Sequence, residues 1–123
     1  MDPRFIKGLE LFNRHDFYEC HEIIESLWLQ TPSEDGYRDL YKGVIQAAAA
    51  LYQFQRGILS GARSLYRTSV AYLGKYAPRS LGLDVSRLME DLRRCFEDLE
   101  KWDGRTDVTL KTSGIPKLEY EAT

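Results

Sequence analysis

The sequence predicts an all-α protein, folded as a single antiparallel bundle of about five helices with an irregular C-terminal tail. Apolar residues recur at helical spacing in five successive segments. The connections between these segments are short and carry proline, glycine or aspartate, which commonly mark helix ends. A chain of 123 residues also suits one domain of ordinary size, and short connections favour antiparallel packing of neighbouring helices.

The first two helices are separated by a short polar stretch. The first is predicted over residues 3–13, with Asp2 as its N-cap and a proline at the first helical position. Asp16 is expected to cap the second helix, residues 17–30, because its spacing to Glu19 is that of a capping box. A proline two residues later ends this helix.

Three further helices follow. The third is predicted over residues 37–56, and Gly57 is placed after it as a residue that adopts positive φ at low cost. The fourth is predicted over residues 60–76. Asp84 is expected to cap the fifth, residues 85–102, which has the clearest amphipathic pattern in the chain.

The remaining residues show no helical period, so we divide the chain into a helical bundle domain, residues 1–102, and an extended tail, residues 103–123. No apolar run reaches the roughly 20 residues of a membrane helix, and the N-terminus has no signal-peptide core. We therefore expect a soluble protein of the cytoplasm or another reducing compartment, with no membrane partner. The net charge of −2 argues against nucleic acid as a partner.

The histidine and cysteine counts restrict the possible metal chemistry. The chain has two histidines, His15 and His21, and two cysteines, Cys20 and Cys95. Three-histidine and four-cysteine zinc sites are therefore impossible within one chain, and a disulfide framework is not expected.

The second helix carries the most informative polar residues. His21 and Glu25 are four residues apart, so their side chains meet over one turn, the spacing at which one helix supplies two metal ligands. Glu22 occupies the position of the general base in the zincin motif, although the second histidine of that motif is replaced by Glu25. Such a donor set suits Zn²⁺, Mn²⁺ or Fe²⁺, and a third ligand would come from another helix. Glu19 lies on the far side of the helical wheel.

A structural interpretation of the same residues is also open. His21 and Glu25 can form a hydrogen-bonded pair beside Trp28, without any metal. On the third helix, Gln46 and Gln53 share a face, and a buried glutamine needs hydrogen-bond partners. Pairing with protein groups is the favoured role for them, since most buried polar groups are simply paired.

These residues stand in a series of motifs that resembles the family called domain of unknown function 309. The resemblance covers roughly residues 5–73 and implies an all-α bundle fold; the family has no established activity and is sometimes labelled a predicted metal-dependent hydrolase. The motifs are Phe12-Asn13, Phe17-Tyr18-Glu19-x-His21-Glu22-x-x-Glu25-x-x-Trp28, Tyr41-x-Gly43-x-Ile45-Gln46-x-Ala48-Ala49-Ala50 and Arg56-Gly57-x-x-x-Gly61-Ala62.

The resemblance implies that the recurring polar residues form the site, namely Glu19, His21, Glu22, Glu25, Arg38 and Gln46. The chain departs from the family at three positions. His15 stands where glycine is common, Cys20 where alanine is common, and Ile58 where asparagine is frequent. We interpret Cys20 as a small buried hydrophobic residue and not as a nucleophile.

Two hypotheses about function follow. In the first, His21 and Glu25 bind a divalent transition metal, Glu22 acts as general base on a bound water in a hydrolase, and Glu19, Arg38 and Gln46 support the site or bind substrate. In the second, the protein is a non-enzymatic helical module for interaction or self-association, for example as a homo-oligomer, and the His/Glu cluster is a structural hydrogen-bond network. Numerous aromatic residues, which are enriched at interfaces, keep this alternative open.

Overall fold

The computed structural model describes residues 1–121 and confirms the all-α prediction. A two-stranded antiparallel hairpin, β1 (Arg79–Ser80) and β2 (Leu83–Asp84), interrupts the helical order. Single 3₁₀ turns lie at Gly74–Tyr76 and Thr112–Gly114. The helices are α1 (Pro3–Asn13), α2 (Phe17–Leu29), α3 (Arg38–Gln55), α4 (Leu59–Leu73), α5 (Val85–Cys95) and α6 (Glu97–Glu100).

Two of the three predicted aspartate caps are confirmed. The Asp2 carboxylate accepts a hydrogen bond from the backbone N–H of Arg4 at 2.8 Å, and Asp84 accepts one from the N–H of Arg87 at 3.0 Å. The predicted capping box at Asp16 is wrong. Asp16 is the N-cap residue of α2, but its side chain accepts no capping hydrogen bond.

The predicted fifth helix is two helices. Helix α5 ends at Cys95, and Phe96 adopts φ −98° and ψ 5° before α6 begins. The Phe96 ring stacks on Tyr66 with 4.6 Å between ring centroids and contacts Phe54 at 5.2 Å. The pattern of apolar residues continues through residue 96, so the sequence itself does not explain the break. We attribute the break to the packing of the Phe96 ring.

The core is built around α3, which packs against α2 on one side and α4 on the other. Its buried residues include the small side chains that permit this close approach, Ala47, Ala48 and Ala50. Because α2 buries one face against α1 and α3, the border of that face lies at the surface. His21 and Glu25 stand on this border.

The last described residues pack against the bundle. The Asn13 side chain donates to the carbonyl of Leu118 at 3.0 Å and accepts from its N–H at 2.7 Å. Leu118 is buried, and Tyr120 forms a β-bridge with Leu83. Within residues 1–121, no helix is both long enough and apolar enough to cross a membrane.

Candidate metal centre

Three side chains of α2 converge at the surface. The Nε2 of His21 lies 3.1 Å from a carboxylate oxygen of Glu25, one turn along the helix. The Nδ1 of the same ring lies 3.4 Å from a carboxylate oxygen of Glu22. The side chains of His21, Glu25 and Glu22 are 30%, 39% and 57% exposed, so the cluster opens toward solvent.

The spacing of the ligand atoms of His21 and Glu25 fits the coordination sphere of a divalent ion. One ligand atom from each of the three residues lies within 4.8 Å of the others. Adjacent ligands of a tetrahedral zinc ion, bound at about 2.0–2.1 Å, are separated by about 3.3 Å. The distance of 3.1 Å between Nε2 and Glu25 matches this separation. One imidazole nitrogen and carboxylate oxygens form a donor set that suits Zn²⁺, Mn²⁺ or Fe²⁺.

The geometry also divides the two carboxylates between the two ring nitrogens. An imidazole that binds an ion through Nε2 carries its proton on Nδ1, and that N–H needs an acceptor. Glu22 stands on the Nδ1 side. The arrangement therefore places Glu25 beside the ion-binding nitrogen and Glu22 beside the opposite one.

The other predicted site residues lie elsewhere. Glu19 is exposed and has no hydrogen-bond or ion-pair partner within residues 1–121. The Arg38 guanidinium lies 4.3 Å from the centre of the Trp28 ring, and its Nε donates to the carbonyl of Thr31 at 3.2 Å. Lys42 approaches the same indole at 4.1 Å. Arg38 therefore stabilises the connection between α2 and α3 and does not contact the His21 cluster.

Three buried polar atoms between the helices have no hydrogen-bond partner in the described part of the chain. They are the Nε1 of Trp28, the Oε1 of Gln46 and the Oε1 of Gln53. The expectation that protein groups pair with both glutamine oxygens is therefore wrong. Gln53 packs so tightly against Gly61 that a Cβ atom at residue 61 would lie 1.9 Å from its Oε1.

A pocket of about 190 Å³ lies next to His21, between α2 and α3. The sequence did not predict a site there. The sequence does show that Tyr18 stands one turn before His21 on the same side of α2. It does not show which residue of α3 faces Tyr18. The Tyr18 and Tyr52 rings are 5.7 Å apart. The pocket is lined by Phe17, Tyr18, His21, Ala49, Tyr52 and Gln53.

Neither cysteine has a reactive thiol, as was expected for Cys20. Burial raises the pKa of the Cys20 thiol to about 12 and that of Cys95 to about 12. Both are therefore protonated at neutral pH, and the thiol is a poor nucleophile and metal ligand. Cys20 fills the buried face of α2.

Comparison with known families places the chain in one that is described only as a domain of unknown function. Residues 5–65, which extend from α1 into α4, match the family model described as Domain of unknown function (DUF309), and the chain belongs to that family. The matched stretch contains His21, Glu22 and Glu25.

Two relatives are similar to this chain. An uncharacterized protein of Bacillus subtilis (strain 168), YpuF, is 36% identical over 94 residues, which cover 75% of this chain and 53% of YpuF. An uncharacterized protein of Aquifex aeolicus (strain VF5) is 41% identical over 46 residues, or 37% of this chain and 14% of that protein. The chain thus matches about half of the Bacillus relative and a small part of the other.

Proposed function

We propose that His21 and Glu25 bind a divalent transition-metal ion and that the protein is a metal-dependent hydrolase. The observation that carries the proposal is the distance of 3.1 Å between the His21 Nε2 and the Glu25 carboxylate, with a second carboxylate on the other ring nitrogen. A divalent ion held there supplies a Lewis acid for a carbonyl or phosphoryl oxygen.

Glu22 has two functions in this proposal. Its contact with Nδ1 fixes the tautomer in which Nε2 has a free lone pair, as carboxylates do beside many metal-binding histidines. Its carboxylate can accept a proton from an attacking water at the ion after rotating away from Nδ1, and it is the most exposed of the three side chains, so it has room to rotate. The proposal gives Glu19, Arg38 and Gln46 no direct contact with the ion, because Glu19 is exposed, Arg38 binds the α2–α3 connection, and Gln46 is not among the three side chains that converge.

The ion site is tested by titrating the untagged protein with Zn²⁺ and Mn²⁺ in a calorimeter. We expect one equivalent to bind, and we expect His21→Ala and Glu25→Gln each to weaken binding by at least tenfold, because the first removes the nitrogen ligand and the second replaces a charged carboxylate by a neutral amide. His15→Asn is the matched control, since His15 is the other histidine of the chain and faces no carboxylate within residues 1–121.

The general-base function of Glu22 is tested by measuring the hydrolysis of p-nitrophenyl phosphate and p-nitrophenyl acetate at saturating metal. Loss of a general base typically lowers the rate by about 10²–10⁴-fold. We expect Glu22→Gln to show such a loss even when the ion site is full. If neither ion binds, the proposal is wrong, and the same three side chains then form a structural cluster on a helical interaction module.

A further inference from the structure

The pocket beside His21 has walls that are largely aromatic. Phe17 and Tyr18 project from the first turns of α2, and Tyr52 faces Tyr18 from α3. Ala49 lines the same pocket with a single methyl group, which leaves space between the two helices. Gln53 also lines the pocket, and its side chain lies in close contact with Gly61.

The size of the pocket restricts what it can hold. An apolar cavity of about 150 Å³ is large enough to bind benzene. This pocket, at about 190 Å³, therefore accommodates one six-membered ring, and it is smaller than the 300–1,000 Å³ typical of drug-sized ligands. Aromatic walls favour a planar ring, since aromatic pairs gain energy beyond the area that they bury.

The ring of His21 connects this pocket to the ion site. The imidazole lines the pocket, while its two nitrogens face Glu22 and Glu25. His21 is the residue that the pocket shares with the ion site, so a ligand whose ring fills the pocket reaches the ion through a substituent that extends past the imidazole. We propose, building on the ion site proposed above, that the pocket selects small aromatic acids or their esters, with the ring against Tyr18 and Tyr52 and the acid oxygen directed to the ion.

The proposal is tested with two hydroxamates that share a metal-binding head and differ in the ring. Zinc-loaded protein is titrated with benzohydroxamate and with acetohydroxamate, and zinc binding is measured separately beforehand. We expect benzohydroxamate to bind at least tenfold more tightly, because only its ring can occupy the pocket. Ala49→Leu should abolish this preference by filling the pocket, and zinc affinity should stay unchanged.

Two further variants keep the test decisive. Ala71→Leu makes the same change at an exposed position of α4 and should retain the full preference. Tyr18→Ala removes one wall at a position that is 54% exposed, so folding should tolerate it, and the preference should fall at least threefold. Zinc binding with equal affinity for both hydroxamates would overturn the pocket assignment alone. Absence of zinc binding would overturn both this assignment and the proposed function.

Discussion

His15 adopts a backbone conformation that favours glycine. Its φ is +65°, in the left-handed region, and it lies in the connection between α1 and α2. The resemblance to the family places His15 where glycine is common, so the structure explains that preference by the turn that brings α2 back against α1. His15 offsets part of the cost by stacking on Phe17, with 5.6 Å between ring centroids and 17° between ring planes.

This conformation predicts an order of stability for two variants. His15→Ala keeps the backbone cost and loses the stacking, whereas His15→Gly removes the cost and loses the same stacking. We therefore expect the glycine variant to have the higher free energy of unfolding, by about 1 kcal/mol. Urea denaturation of both variants measures the difference. An alanine variant as stable as the glycine variant would contradict the strain assigned to this residue.

At the same scale, the sequence predicts contacts within a helix better than contacts between helices. The approach of His21 to Glu25 follows from a separation of four residues on a helix, and the structure brings the two side chains together. Gln46 and Arg38 depend instead on the register between α2 and α3. Periodicity places a residue on a face of its helix but does not show which residue of the neighbouring helix it meets, and the aromatic pocket was missed for the same reason.

At the scale of elements, helix ends were predictable where a specific residue sets them. Asp2 and Asp84 cap their helices as expected, and Gly57 adopts φ +74° after α3. The break at Phe96 was not predictable, because an aromatic residue fits the apolar stripe of a continuous helix and only tertiary packing interrupts it. The hairpin was not predictable, because strands of two residues are too short to show an alternating pattern of apolar and polar residues. Its turn residues, Leu81 and Gly82, both adopt positive φ.

Helix α5 carries a charge cluster that makes its stability depend on pH. Hydrogen bonds from Arg93, and then from Arg94, lower the pKa of Glu90 from 4.5 to about 2. The contribution of Glu90 to stability is therefore complete above about pH 4.5 and is lost as the pH falls toward 2. We expect Glu90→Gln to lower the thermal unfolding midpoint at pH 6 and to leave it unchanged near pH 2.

The matched control for this prediction is Glu97→Gln. Glu97 is exposed and has no cation within 4 Å among the described residues. The difference between the Glu97 variant and the original protein should therefore depend much less on pH. A Glu90 variant whose midpoint runs parallel to that of the original protein from pH 6 to pH 2 would show that the arginine contacts add no pH-dependent stability.

At the scale of the whole molecule, the segment after α6 contributes to the same core as the helices. Leu118 is 3% exposed and belongs to the buried cluster that includes Phe12 and Leu83. The Asn13 side chain donates one hydrogen bond to the Leu118 backbone and accepts another from it, as a neighbouring β-strand would. The division of the chain at residue 102 followed from the loss of helical period, and such a loss does not reveal whether an extended segment is packed or free.

This packing predicts that Leu118 stabilises the entire bundle. Leu118→Ala should lower the free energy of unfolding by roughly 2–4 kcal/mol, because it removes buried methyl groups and leaves a cavity. Leu29→Ala makes the same change at a position that is 67% exposed and should cost less than about 0.5 kcal/mol. Trypsin cleavage after the exposed Lys111 should accelerate in the Leu118 variant, since the released segment no longer closes on the bundle. If unfolding and proteolysis of both variants match the original protein, residues 116–121 do not stabilise the helices.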